Sequence, residues 1–326
     1  MRLVVGALQC SGVPEPPRQR LEKIALALSD AARRGVRLAV LPEVAVTGYA
    51  LDAHGLRHAE PVPGPIVFEL AAMARRHDLV VVAGCVERSG NDFFDTAVVV
   101  DPSGYRGRYR KVHVSAVENA YWVGGSGARP IDTMVGRIGI GLCADMAYRT
   151  PWECYRDEEV DLIAVGSAWP DLRRLRPFSL GLRMGTLHHD WTRMLPEKIS
   201  TALGVPVVYA NYCGPLSLRL PLLGTRVYGQ FAGGSRIVQR GTIAEAHTEG
   251  WTIAEVEVGR REPQAATWNG PWLPNATAWQ RGQMYLSDKG LGHLSRFVYR
   301  LRAIRRADSD DKGRDGKIDR EESPRT

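Results

Sequence analysis

The sequence lacks several features that would assign it to a class at once. Its five cysteines are odd in number, widely spaced and without a C-x-x-C pair, so neither a disulfide framework nor a zinc site of the usual spacing is indicated. No apolar run approaches the roughly 18 residues of a membrane-spanning helix, and the N-terminal apolar run is too short for a signal peptide. No repeat of fixed period is present. These absences predict a cytoplasmic protein with no membrane span.

Charge is present, but it is not concentrated in one tract. Of the 326 residues, 44% are hydrophobic and 24% are charged, which is ordinary for a globular protein large enough to hold a sizeable core. The net charge of +7 comes largely from short arginine clusters scattered along the chain, without the interleaved aromatics of a nucleic-acid-binding surface. We interpret these clusters as solvated helix faces and expect no nucleic-acid partner.

Short β-branched runs alternate with amphipathic helical patterns over most of the chain. Such alternation predicts an α/β protein in which helices cover layered sheets. Because no break in composition occurs before about residue 300, we predict one domain over residues 1–300. The predicted strands are residues 2–9, 36–43, 79–88, 94–101, 136–143, 161–168, 205–212, 226–233, 235–241 and 251–258, and the predicted helices are residues 20–35, 64–78 and 189–204.

The last stretch of the chain differs from the rest. Residues 307–326 contain one large apolar residue, Ile318, which is too little to offset the entropy of ordering, so we predict a flexible polar tail over residues 301–326. Within it, residues 311–322 follow the order of a calcium-binding EF-hand loop, although glycine stands at the third loop position and no exit helix follows. Calcium binding there stays an open alternative. The matching positions are Asp311, Asp315, Gly316, Ile318, Asp319 and Glu322.

Three chemically capable side chains each follow a predicted strand. Glu43 comes after Leu-Pro in "AVLPEVAVTGY", where apolar neighbours would desolvate its carboxylate and suit it to act as a base. Lys111 lies in "YRKVHV", with Glu118 seven residues further on, and Cys143 ends the apolar run "GRIGIGLC". Singly, each has a structural explanation: a glutamate can cap a helix, a lysine can face solvent and a cysteine can fill a core.

Together, an acid, a cation and a thiol are what attack on an amide-like carbon requires. The carboxylate accepts the thiol proton, the thiolate attacks the carbon, and the ammonium group stabilises the oxyanion that develops. The combination predicts that Cys143 is a nucleophile, whereas the other four cysteines are expected to be structural.

The motifs "LPEVAVTGY", "YRKVHV", "GIGLCAD", "YGQFAGGSRIV" and "GTIAEAHTEG", in this order, resemble those of the nitrilase superfamily of carbon-nitrogen hydrolases over roughly residues 1–285. The resemblance implies an αββα sandwich that assembles into homodimers or larger homo-oligomers. It implies that Glu43 is the general base, Lys111 the oxyanion lysine and Cys143 the nucleophile. Glu118 matches a second glutamate that supports the site. The implied reaction needs neither a metal nor an organic cofactor.

The branch of the superfamily is indicated less sharply. The segment "KVHVSAVENAYWVGG" is similar to that of nitrilases, but Cys143 is followed by Ala144 and Asp145 instead of Trp-Glu, a form that resembles the amidase and carbamoylase branches. We therefore predict a hydrolase of a small amide or N-carbamoyl compound that acts through a thioester. A nitrilase, a thioester-based acyl or amine transferase, and a non-catalytic ligand-binding protein of the same fold remain alternatives.

Residues next to the motifs are candidates for binding substrate. Carbamoylases carry arginines directly after the aspartate, but Met146 and Ala147 occupy those positions here, which leaves Arg149 as the candidate for holding a substrate carboxylate. The backbone N–H of Ala144 is a candidate oxyanion donor. Four aromatic residues near the motifs fit either an aromatic-lined pocket or core packing: Tyr49, Tyr148, Trp152 and Trp169. His188 and His189 lack a third ligand at a useful spacing, so structural or surface roles are expected in place of metal binding.

Overall fold

In the computed structural model, the chain forms two mixed β-sheets with helices on their outer faces. The structure describes residues 1–176, 182–219, 225–259, 292–299 and 301. The strands of this part of the chain are β1 (Arg2–Ser11), β2 (Leu38–Val40), β3 (Val80–Ser89), β4 (Asp92–Asp101), β5 (Gly104–Arg110), β6 (Ile131–Thr133), β7 (Gly136–Leu142), β8 (Leu162–Ser167), β9 (Val207–Cys213), β10 (Pro215–Arg219), β11 (Arg226–Gln230), β12 (Arg236–Val238), β13 (Thr242–Glu245) and β14 (Gly250–Glu257). Its α-helices are α1 (Pro17–Arg33), α2 (Ala53–Arg57), α3 (Pro65–His77), α4 (Trp152–Asp157), α5 (Leu182–Leu203) and α6 (residues 292–299).

The two sheets are built alike. The first has the strand order β5-β4-β3-β2-β1-β14 and the second has the order β6-β7-β8-β9-β12-β13. Three neighbouring strands in each sheet run parallel, β1-β2-β3 in the first and β7-β8-β9 in the second, and the other pairs within each sheet are antiparallel. The sheets join where Cys10 and Ser11 at the end of β1 pair with β9. A separate hairpin is formed by β10 and β11.

Apolar side chains fill the layers on both sides of each sheet. Along β2, Leu38 and Val40 point into a cluster shared with the second sheet, whereas Ala39 points into a cluster shared with α1 and α3. This alternation follows from the two-residue period of a strand, which sends successive side chains to opposite faces. Since α5 contacts β9 and β12 of the second sheet, the layers run helix, sheet, sheet, helix. The predicted α/β class and αββα sandwich are confirmed.

Some element bounds differ from those predicted. The helix predicted over residues 189–204 begins earlier, at Leu182, and continues through Pro196. The short strands β6, β10 and β13 were not predicted, since three to five residues give too little period-two pattern to detect. The predicted tail over residues 301–326, with its EF-hand-like loop at 311–322, lies outside the described residues except for residue 301. In the described part of the chain, no helix combines the length and apolar character needed to cross a membrane.

Candidate functional site

The ends of four strands from both sheets converge on one site. Glu43 follows β2, Lys111 follows β5, Cys143 follows β7, and Ser167 ends β8. All four side chains are buried. The sandwich therefore brings together the acid, the cation and the thiol that lie far apart in the sequence.

The ammonium group of Lys111 is surrounded by three carboxylates. Its Nζ lies 2.5 Å from Glu43 Oε1, 2.7 Å from Glu118 Oε2 and 3.5 Å from Asp95 Oδ2. Burial alone would lower the pKa of Lys111, but the charges of Glu118 and Glu43 outweigh it and raise that pKa well above its usual value. Lys111 therefore supplies a permanent positive charge in a site shielded from water.

Glu118 is held in place by three donors. Its Oε2 accepts from Lys111 Nζ and, at 2.8 Å, from the backbone N–H of Ser115, while its Oε1 accepts from Tyr49 Oη at 2.6 Å. Burial opposes ionisation of Glu118, but Lys111 and these hydrogen bonds together lower its pKa. Glu118 is thus an anion that fixes the position of the lysine.

Asp95 belongs to the same cluster, although it was not predicted from the sequence. Its side chain is fully buried in β4, and within the described residues its carboxylate oxygens and Glu43 Oε2 accept no hydrogen bond while both groups are ionised. Burial and the neighbouring Glu43 carboxylate raise the pKa of Asp95 well above its usual value. A protonated Asp95 can donate a hydrogen bond to Glu43. The available signal was an acidic residue inside the apolar run "FDTAVVV".

The three carboxylates also have the spacing of a cation site. One oxygen from each of Glu43, Asp95 and Glu118 lies within 4.8 Å of the others. In this structure the cation among them is the Lys111 ammonium, which bonds two of the three directly. The cluster is therefore organised around an organic cation supplied by the chain itself.

The thiol of Cys143 lies on a sharp bend after β7. Cys143 has φ of 40°, in the left-handed region that residues with a Cβ rarely adopt, and it opens a 3-10 turn over Cys143–Ala147. Burial and the Glu43 charge raise the pKa of the thiol well above its usual value, against the opposing effects of Lys111 and of the Ser167 hydroxyl beside it. The resting thiol is therefore protonated and needs a base to become a nucleophile.

Asp145 ties this bend to the segment that carries Lys111. Its Oδ2 accepts from Tyr109 Oη at 2.8 Å and from Leu142 N at 3.1 Å, and its Oδ1 accepts from His113 N at 2.8 Å. Since Tyr109 and His113 flank Lys111 in the sequence, a single carboxylate sets the position of the thiol relative to the ammonium. Asp145 is a positioning residue whose partners the motif alone did not reveal.

Two strand glycines make room for the turn that carries Glu43. A Cβ at Gly84 would lie 2.2 Å from Val44 N, and a Cβ at Gly166 would lie 3.2 Å from Glu43 N. Val44 has φ of 44°, an outlier for a β-branched residue. Both glycines were visible inside apolar strand patterns, where glycine often marks a close backbone approach.

A cavity of about 390 Å³ opens from the thiol. Beside Cys143 it is lined by Glu118 and by Ala144, the predicted oxyanion donor. Tyr49, Tyr148 and Trp169, predicted to form an aromatic pocket, also line it. His188 is a further wall residue: its Nδ1 accepts from Trp169 Nε1 at 3.1 Å, and its ring stacks on that indole.

Two predicted pocket residues lie elsewhere. Arg149 is not among the described residues that line the cavity, and its guanidinium forms an ion pair with Glu153 at 2.8 Å, one helical turn away. Trp152 is fully buried against Gly141, and its indole N–H donates to the Asp145 carbonyl at 3.1 Å. Of the two alternatives for Trp152, core packing is the one observed, because glycine in β7 leaves room for its ring in the core.

The sequence was compared with known protein families. A profile of carbon-nitrogen hydrolases matches residues 4–263. The chain belongs to the carbon-nitrogen hydrolase family. The resemblance to the nitrilase superfamily is thereby confirmed.

This carbon-nitrogen hydrolase also resembles solved structures at 25% identity or below, a level of identity that supports a shared fold alone. They include a carbon-nitrogen hydrolase from Helicobacter pylori G27, with a TM-score of 0.65 and 21% identity over 78% of this chain and 88% of that one. Another is the amidase from Nesterenkonia sp. AN1, with a TM-score of 0.64 and 19% identity over 78% of this chain and 93% of that one.

Relatives with higher identity match the carbon-nitrogen hydrolase over a shorter length. A nitrilase from Pyrococcus abyssi is 32% identical over 136 residues, which is 40% of this chain and 51% of that protein. A bifunctional nitrilase/nitrile hydratase from Nicotiana tabacum is 34% identical over 144 residues, which is 38% of this chain and 41% of that protein. The matched segments span about half or less of each relative.

Proposed function

We propose that this carbon-nitrogen hydrolase is a cysteine-dependent amidohydrolase that cleaves a small amide or N-carbamoyl compound through a thioester on Cys143. One observation carries the proposal. The Lys111 ammonium is bonded by Glu43 and Glu118 within a buried cluster, and their charges act on a thiol that opens into a cavity. Membership of the carbon-nitrogen hydrolase family supports cleavage of a C–N bond, and the buried cluster supplies the candidate base, cation and nucleophile.

The first half of the reaction forms the thioester. Glu43 accepts the thiol proton while Cys143 Sγ bonds to the substrate carbonyl carbon, and the carbonyl oxygen becomes an oxyanion held by Lys111 and the Ala144 N–H. The oxyanion then collapses, the C–N bond breaks, and the amine leaves with the proton from Glu43. The resting thiol is protonated, so this step depends on a base.

The second half consumes one water molecule. Glu43 accepts a proton from the water as its oxygen bonds to the thioester carbon, and a second oxyanion forms at the same donors. The C–S bond then breaks, the acid is released, and the proton returns from Glu43 to sulfur. The sum is amide plus water giving acid plus amine. Glu118 and Asp95 keep Lys111 and Glu43 in position through both halves.

A nitrilase is the second candidate, because the curated relatives described above are named nitrilases. Addition of the thiol to a nitrile carbon would give a thioimidate, and two waters would release ammonia and the acid. The same three residues serve this reaction. Ala144-Asp145 after the cysteine favours the amide reaction, as the resemblance to the amidase branch implies.

A panel of amides, N-carbamoyl compounds and nitriles tests the proposal. We expect ammonia or amine release from at least one amide or N-carbamoyl compound by the wild-type protein and none by Cys143→Ala. Cys154→Ala is the matched control, because Cys154 is another free thiol outside the cavity lining, and it should keep full activity. Turnover of nitriles alone would favour the second candidate. Turnover that survives Cys143→Ala would overturn both. Product analysis with an added amine distinguishes a transferase, since a transferase would form more N-substituted amide than free acid, whereas a hydrolase would form mainly the acid.

We also propose that residues 1–300 form one hydrolase domain followed by a polar tail, and that the protein is a cytoplasmic homo-oligomer. All five cysteines carry free thiols, which supports a reducing compartment. Leu26 on α1 and Phe68 on α3 are large apolar side chains exposed on the outer helical layer, which supports a contact between copies. Sedimentation of wild type and of Leu26→Glu with Phe68→Glu tests this contact: a smaller species is expected for the double variant, and equal masses would contradict it.

A further inference from the structure

The cavity wall, as far as the described residues form it, offers no positive charge to a substrate. Among these residues Glu118 alone has a formal charge, and that charge is negative. His188 is neutral near pH 7, because burial lowers its pKa to about 3. The described part of the wall therefore provides no counter-ion for a carboxylate.

Two arginines that adjoin lining residues in the sequence are paired with acids. Arg149 bonds Glu153 at 2.8 Å, and Arg173 bonds both oxygens of Asp171 at 2.8 Å each. Lys111 is bonded to two carboxylates, and its proposed role is to hold the oxyanion that forms at the thiol. Recruiting any of the three to a distant substrate carboxylate would leave an acidic partner uncompensated, which is costly for the buried acids around Lys111.

One part of the cavity wall, the aliphatic end, carries only alkyl side chains. It is formed by residues from the segment after β8 and from the hairpin of β10 and β11, namely Leu172, Leu175, Leu216, Leu218 and Val227. Trp169 and His188 also line the cavity as a stacked pair, with their ring centres 4.7 Å apart. Such surfaces gain free energy by covering an apolar group, whereas a carboxylate would lose its hydration without gaining a partner.

We propose that the substrate of this site carries an uncharged, apolar group of branched-alkyl or aryl size on its scissile amide, and that a carboxylate in that position is rejected. This inference rests on the proposed hydrolase function and narrows it, because it excludes N-carbamoyl amino acids from the N-carbamoyl compounds. The volume of about 390 Å³ is at the lower end of pockets that enclose small ligands. In a cavity of this size, a small acyl group bonded to the thiol would already contact the leucine side chains.

Three amides of nearly equal shape test the charge preference. They are 4-methylpentanamide, succinamide and succinamate, which end in an isopropyl group, a neutral amide and a carboxylate respectively. We expect kcat/KM to decrease in that order, with 4-methylpentanamide about 100-fold or more above succinamate. Succinamide separates polarity from charge. Equal values for 4-methylpentanamide and succinamate, or a preference for succinamate, would overturn the inference.

A variant at the aliphatic end tests whether the lack of a cation there causes the rejection of a carboxylate. Leu172 is half-buried, so Leu172→Arg can introduce a cation at the aliphatic end with little disturbance of the core. We expect this variant to raise kcat/KM for succinamate about tenfold or more and to lower it for 4-methylpentanamide. Leu172→Met is the matched control and should keep the wild-type order. No gain for succinamate in a folded Leu172→Arg protein would contradict the role given to this wall.

The hydrolase function and the substrate class can be contradicted separately. If succinamate is hydrolysed best and Cys143→Ala abolishes that activity, the hydrolase function stands and the substrate class is wrong. If none of the three amides, their nitrile counterparts or the wider panel is hydrolysed, and 4-methylpentanamide does not slow labelling of Cys143 by iodoacetamide, both are wrong. Protection of Cys143 by 4-methylpentanamide but not by succinamate would support the substrate class even where turnover is slow.

Discussion

The two ends of the cavity are made in opposite ways. At the thiol end, the Lys111 ammonium lies 2.5 to 3.5 Å from the carboxylate oxygens of three acids, and each of the four residues is at most 1% exposed. At the aliphatic end, the described lining residues are leucines and a valine, without a charged group among them. The first end depends on a few directional bonds, and the second on the area and shape of an apolar surface.

This difference separates chemistry from selection. A change at the charged end alters pairings that have no substitute, so its effects should be large and largely independent of the substrate. A change at the apolar end alters how much surface the substrate covers, so its effects should be smaller and should differ among substrates. Variants at each end test whether the two behave in this way.

The largest effect is expected from removing the nucleophile or its base. Cys143→Ala should lower kcat by about 10⁴-fold or more, and Glu43→Gln by about 10²- to 10⁴-fold, with the same factor for every amide tested. Glu43→Gln keeps a carbonyl oxygen that accepts from Lys111, so the fold should be retained. Steady-state kinetics with two amides of different size measures this. A loss of kcat that differs strongly between the two amides would contradict the expectation that changes at the charged end affect all substrates alike.

Removing the Lys111 cation should destabilise the folded protein, because it leaves buried acids without a counter-ion. Lys111→Met leaves Glu43 and Glu118 buried without a counter-ion, which should lower the free energy of unfolding by about 3–5 kcal/mol. Lys23→Met removes a surface pair with Glu15 and should cost about 1 kcal/mol or less. Urea denaturation of both variants gives the difference. Similar values for the two would mean that the buried cluster is not held by Lys111.

Asp95 provides a finer test of the charged end. Asp95→Asn keeps a donor toward Glu43 and should keep kcat within about threefold, whereas Asp95→Leu should lower kcat about 10- to 100-fold with little change in KM. The reason is that a protonated Asp95 holds Glu43 by a hydrogen bond, which asparagine can replace and leucine cannot. If asparagine proves as harmful as leucine, Asp95 acts as an anion instead.

The smallest effect is expected at the apolar end, where His188 couples stability to pH. In the folded protein the pKa of His188 is about 3, below its usual value of 6.5. Between these two pH values the imidazole is protonated in the unfolded chain but neutral in the folded protein. Stability is therefore lost as the pH falls below about 6.5. Because part of the ring faces the cavity, we expect the loss at pH 5 relative to pH 7 to be about 1–2 kcal/mol.

His188→Phe should remove this part of the acid dependence. The exposed His247 serves as the control, since His247→Gln should leave the dependence as it is in the wild type. Urea denaturation at pH 5 and pH 7 measures both. An unchanged dependence in His188→Phe would mean that the wall can accommodate a charge, and the comparison between the two ends would weaken accordingly.

The charged end was largely predictable from the sequence. Glu43 and Cys143 each follow an apolar run that a local pattern identifies as a strand, Lys111 follows the arginine-rich strand β5, and the order of the motifs indicated that the three act together. Asp95 was not predictable in the same way. Which face of β4 it occupies depends on its pairing with β3 and β5, and that register is a property of the folded sheet.

The apolar end was predicted less well, because it is assembled from loops and strand ends distant in the sequence. Leu175, Leu216 and Val227 carry no motif, and nothing local distinguishes them from other core leucines and valines. For Arg149 a signal did exist. Glu153 lies four residues later, a spacing at which a helical turn brings opposite charges together, and the guanidinium of Arg149 pairs with it outside the described cavity lining.

The central claim is that Cys143 carries the acyl group of the substrate during turnover. Rapid-quench mixing of the wild-type protein with 4-methylpentanamide, followed by peptide mass mapping, tests it most directly. We predict a transient mass increase of one 4-methylpentanoyl group on the peptide that contains Cys143, lost as the acid is released. Turnover of the amide at the same rate with no acyl group on that cysteine, or with the group on another thiol, would contradict the account.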